Sequence, residues 1–149
     1  MAHGSSEGVS NRVLGVLTLI LVLVDAGLVV INSIMWTAYR AGDVTAAEVA
    51  PFMLFAGSAA VGAVVMLLAA IALFRDGLGH RLAEVAVVLA GVRVVAIPIA
   101  VVVVVVTVGM SSVSGPSDIF LIVLSVFEAV VELMVARVAA ARTRRTFTA

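Results

Sequence analysis

The sequence predicts an all-α integral membrane protein: a bundle of four transmembrane helices with both termini in the cytoplasm. Three observations predict it. The 149 residues are 64% hydrophobic and only 12% charged, about half the charged share of a soluble domain. The apolar residues gather into four blocks of spanning length, and the arginines gather between alternate blocks and at the C-terminus.

Residues 1–12, MAHGSSEGVSNR, are small and polar and are expected to form a disordered tail. The first block, Val13–Trp36, is too long for the apolar region of a signal peptide and lacks a small-residue cleavage site after it. It is expected to remain as an uncleaved anchor. The second block is Phe52–Phe74, with Pro51 suited to the first turn of its helix, where a missing N–H costs nothing. FRDGLGHR then connects to the third block, Leu82–Val108, and SSVSGPSD to the fourth, Ile119–Val138, which Asp118 could cap. Each block has the roughly 20 residues that cross about 30 Å of hydrocarbon. Residues 13–138 thus form the transmembrane domain, and 139–149 a basic cytoplasmic tail whose arginines can touch anionic lipid headgroups.

Orientation follows from charge. Arg75 and Arg81 flank the second connector, and Arg137, Arg142, Arg144 and Arg145 crowd the end of the chain. The first connector offsets Arg40 with Asp43 and Glu48, and the third has no basic residue. The positive-inside rule places the arginine-rich side in the cytoplasm. Trp36 and Tyr39 then mark the outer interface. All nine basic residues are arginine, which alongside the alanine and valine excess suggests a GC-rich bacterial genome and hence the inner (plasma) membrane.

Six ionisable groups fall within the apolar blocks; Glu84 and Arg137 lie near the cytoplasmic ends, and the other four lie deeper. Asp25, Arg93 and Glu128 lie about 18, 16 and 14 Å into their helices, all near the bilayer centre. Glu132 lies one turn from Glu128 on the same face. Charges inside membrane helices almost always face the bundle interior. Arg93 is therefore expected to meet carboxylates at its own depth, with Asp25 and Glu128 as its partners and Glu132 as the surplus acid. Asn32 shares the Asp25 stripe and is expected to bond across helices. Small residues support close packing: Ala86, Ala90, Ala96 and Ala100 beside Arg93, and on the second helix the rows Ala56–Ala60–Ala63 and Ser58–Gly62.

The fourth helix needs that interior. Its thirteen Leu, Ile, Val and Phe residues favour insertion by about 4–8 kcal/mol, and two central glutamates take back about 5–7 kcal/mol. Three carboxylates against one arginine also leave a charge imbalance. A surplus acid must be protonated, bind a cation or meet a partner protein.

Other chemistry is absent from the pattern. With no cysteine there is no disulfide, thiolate metal site or cysteine nucleophile. No enzyme motif is found, so no catalytic activity, cofactor or metal site is expected, and the zero net charge suggests no nucleic-acid partner. His3 and His80 lie in a tail and a connector. Small size and the lack of a separate water-soluble domain lead to the expectation of a structural or accessory subunit, self-associating or completed within a larger membrane complex. The alternative, favoured by the carboxylate surplus, is a proton- or cation-coupled transporter or channel for a small solute using the buried carboxylates.

Overall fold

The chain turns back on itself at two well-formed helix boundaries. Gly42 adopts a φ of +84°, the left-handed geometry that glycine enters without a steric penalty. The Gly42 N–H bonds the Tyr39 carbonyl and the Asp43 N–H bonds the Ala38 carbonyl, each at 3.0 Å, closing the first helix in a Schellman motif. Three residues later Thr45 and Glu48 form a capping box. The Thr45 N–H donates to the Glu48 carboxylate at 2.7 Å, and the Glu48 N–H donates back to the Thr45 hydroxyl at 3.4 Å.

The computed structural model describes residues 4–74, 79–109 and 115–145. They form four helices, α1 (Gly4–Ala41), α2 (Ala46–Phe74), α3 (Gly79–Val108) and α4 (Pro116–Arg145). All four are long and apolar enough to cross a membrane. α3 stops at Gly109, at φ +107°, and α4 starts with Pro116 at its first position, where a fixed φ suits a helix entry.

Several boundaries differ from the apolar blocks. α1 is already helical at Gly4, so most of the expected tail continues the helix, as propagation from an established helix is cheap. α4 likewise runs to Arg145 through alanine-rich chain, with Ala139 and Thr143 buried. The capping box starts α2 more than one turn before Pro51, which therefore lies inside the helix rather than in its first turn. Its ring removes the bond to the Ala47 carbonyl. Pro116, not Asp118, marks the entry to α4; the Asp118 side chain lies outside the described residues.

α2 occupies the centre, packing on α1, α3 and α4, while α3 also packs on α4. The shared core is small: Val65, Met66, Ala69 and Leu73 of α2 meet Ala86 and Ala90 of α3 and Ala136 and Ala139 of α4. Alanine at these seams lets helix backbones approach closely. On α2 the buried row is Ser58–Gly62, whereas Ala60 of the other small-residue row is exposed. On α3 the stripe runs 86, 90, 93, 97, so Ile97 is buried and Ala96, about 100° round the helix, faces outward. The outer surface is apolar, with Leu23 72% and Val106 77% exposed. Lipid-facing helices have this inverted character.

The ends of the helices are in register. Phe74, at the end of α2, lies over Gly15 near the start of α1, where an added Cβ would sit 2.6 Å from the ring. Arg142 donates to Asn11 at 3.5 Å, and Arg144 pairs with Glu84 at 3.5 Å. The start of α1, the end of α2, the start of α3 and the end of α4 therefore share one end of the bundle. Trp36 and Tyr39 lie at the far end of α1, with ring centroids 5.5 Å apart.

Candidate ion site in the bundle interior

Arg93 is 3% exposed and enters the interior from α3. Gly62 of α2 makes room for it: a Cβ there would collide with Arg93 Nη1 and lie 2.6 Å from Glu132 Oε1. One turn earlier, Ser58 accepts a hydrogen bond from Arg93 Nε at 3.0 Å. The guanidinium fork then spans two carboxylates of α4. Nη2 donates to Glu128 at 3.1 Å, and Nη1 donates to Glu132. The i, i+4 spacing puts both acids on one face, matched to the two arms of a planar donor. A single side chain thus ties α2, α3 and α4 together.

Asp25 completes the group from α1. It is 1% exposed, and neither carboxylate oxygen meets a basic or amide donor among the described residues. One carboxylate oxygen each from Asp25, Glu128 and Glu132 lie within 4.8 Å of one another. Leaving an acceptor unpaired in a dry interior is costly, and a bare charge there costs far more. With one guanidinium against three carboxylates, the fully ionised cluster carries two uncompensated negative charges. Two protons or one divalent cation would bring it to neutrality. Hard carboxylate oxygens suit protons and oxygen-preferring cations. The Glu128 side chain is 17% exposed, so the cluster is more open on its side than at Asp25.

The depth-matched residues Asp25, Arg93, Glu128 and Glu132 therefore do come together, but their pairing differs from the expectation. Arg93 holds both glutamates, and the surplus acid is Asp25, not Glu132. The reason is directional: past Gly62 the guanidinium faces α4, where two acids one turn apart engage both arms. Asn32 is buried yet stays outside the cluster. Its side-chain N–H bonds the Leu28 carbonyl of its own helix at 2.7 Å instead of crossing to a neighbour. Thr18 does the same with Gly15.

Ser58 and Gly62 are functional neighbours whose roles were not foreseen, although their i, i+4 row was the available signal. Ser125, one turn from Glu128 on α4, is buried with an unpartnered hydroxyl. It borders a small cavity of about 10 Å³ with Pro51, Phe55 and Val104.

Comparison with family models, with curated proteins and with solved structures finds no match for this chain.

Proposed function

We propose that this protein is an ion-coupled membrane carrier for a small solute. In this reading Asp25, Glu128 and Glu132 bind and release protons or a small cation near the bilayer centre, and Arg93 is the fixed counter-charge. The observation that carries it is Asp25: a buried carboxylate with no cationic partner among the described residues, placed beside two others by a separate helix. A cluster serving only helix register needs no third acid. Ionisable residues at this depth are expensive to insert and typically mark ion pathways.

The chemistry is charge exchange. Two bound protons or one divalent cation neutralise the surplus and let α1 approach α4; their release leaves repelling carboxylates that favour separation. The Arg93 fork holds Glu128 and Glu132 in place throughout, so Asp25 is the group whose surroundings change.

In proteoliposomes carrying an internal pH dye or a cation indicator, the native protein should conduct protons or a cation. Asp25→Asn should abolish that flux while leaving thermal stability the same or higher, because the amide removes a buried charge. Undiminished flux in Asp25→Asn would remove this residue from the carrier role. No flux from the native protein, across several ions and pH values, would leave the accessory-subunit or self-associating reading, to be pursued through the mass of the complex in mild detergent.

The carrier lies in the plasma (inner) membrane, with its arginine-rich end and both termini in the cytoplasm. The shared position of the helix ends supports both termini lying on one side, and the arginine distribution supports that side being the cytoplasm. The native chain has no cysteine. A cysteine at Thr45 should therefore react with an impermeant maleimide from outside intact cells, and one at Gly77 should not. The reverse pattern would invert the topology.

A further inference from the structure

We infer that the crevice between the start of α3 and the end of α4 seats one anionic phospholipid. It is an open groove of about 820 Å³ at the arginine-rich end of the bundle. Its chemistry changes along its length. His80 and Arg144 flank the outer end, Glu84 comes next, and Val87 and Val88 form an apolar floor together with two alanines of α4. Polar groups outside and apolar ones within match a headgroup and the beginning of an acyl chain.

Charge selects the headgroup. Glu84 is already engaged, by His80 at 3.0 Å and by Arg144 at 3.5 Å. Arg137 also lines the groove, about 10 Å deeper than Arg144 because seven residues separate them on one helix face. It lies inside an apolar block, level with Val87 and Val88, and has no acceptor among the described residues. An arginine so placed reaches toward the interface and takes a phosphate, for which its planar fork is shaped. The surrounding arginines, Arg81 and Arg142 among them, favour an anionic lipid over a zwitterionic one. Among the described residues lining the groove, no acid lies at this depth to compete for Arg137. The site is separate from the interior cluster and stands whether or not the protein is a carrier.

Native mass spectrometry of detergent-purified protein, titrated with phosphatidylglycerol or phosphatidylcholine, tests this. One phosphatidylglycerol should bind preferentially. Arg137→Gln, an exposed position where folding should be unaffected, should weaken it about tenfold, the value of one lost ionic hydrogen bond. Arg40→Gln, on the connector between α1 and α2, should not weaken it. Excess inorganic phosphate should fail to displace the lipid, since it has no chain for the apolar floor. Equal binding of the two lipids, unchanged binding in Arg137→Gln, or displacement by free phosphate would each overturn the assignment.

Discussion

Replacing Arg93 by methionine is expected to cost about 3–5 kcal/mol of folding stability, because it leaves Glu128, Glu132 and Asp25 in a dry interior with no counter-charge. Methionine keeps most of the side-chain volume, so lost packing contributes little. The compensating variant makes the cause identifiable. Arg93→Met combined with Glu128→Gln and Glu132→Gln should recover most of the loss, since removing both sides of a buried ion pair together is often close to neutral and only Asp25, already without an ion-pair partner, stays charged. Unfolding in mild detergent, followed by heating or by denaturant titration, measures both. A combined variant no more stable than Arg93→Met alone would mean that the arginine matters for its shape and not for its charge.

Gly62→Ala is the second substitution with a large expected effect, about 1–3 kcal/mol of destabilisation. Its Cβ would occupy space held by Arg93 Nη1 and by Glu132 Oε1. Both are ends of long side chains, but both are held by the same ion pair, so making room means loosening it. Gly57 provides the control on the same helix. A Cβ there meets nothing within 4 Å, so Gly57→Ala should be neutral or should stabilise α2 by up to about 1 kcal/mol. If both substitutions were equally mild, the close approach of α2 to Arg93 would not be a constraint on this fold.

How much of this was legible varies with the kind of information each feature needs. Helix number was written in hydropathy, because every spanning segment must hide its own backbone. Helix ends were not. Hydropathy marks where lipid contact stops, whereas the ends are set by glycine at positive φ, by the Thr45–Glu48 box and by Pro116, and polar chain such as 4–12 stays helical beyond the apolar block. The T-x-x-E spacing at Thr45 was readable and would have moved Pro51 out of the first turn. For the interior cluster, counting residues from helix ends gave matched depths, and those residues do converge. Which acid pairs with Arg93 depends on something a count cannot supply, the direction in which the side chain leaves α3. That direction is decided by α2, through the absent Cβ of Gly62 and the hydroxyl of Ser58. Asn32 was misassigned for a related reason: a polar side chain on a helix can satisfy itself on the carbonyl one turn back.

The partners of Arg93 come 35 and 39 residues after it, on the last helix. During synthesis at about 5–20 residues per second, the arginine is made about 2–8 s before its ion pair can close. α3 is apolar enough to enter the membrane with one unpaired charge; α4, with two glutamates, is marginal on its own. In the proposed membrane arrangement the pair would act as a latch between successive helices: the arginine waiting in α3 would lower the cost of bringing α4 into the bilayer. In that arrangement a chain that stops before α4 would expose a lone intramembrane arginine. Incomplete copies would thus carry a mark that complete ones conceal.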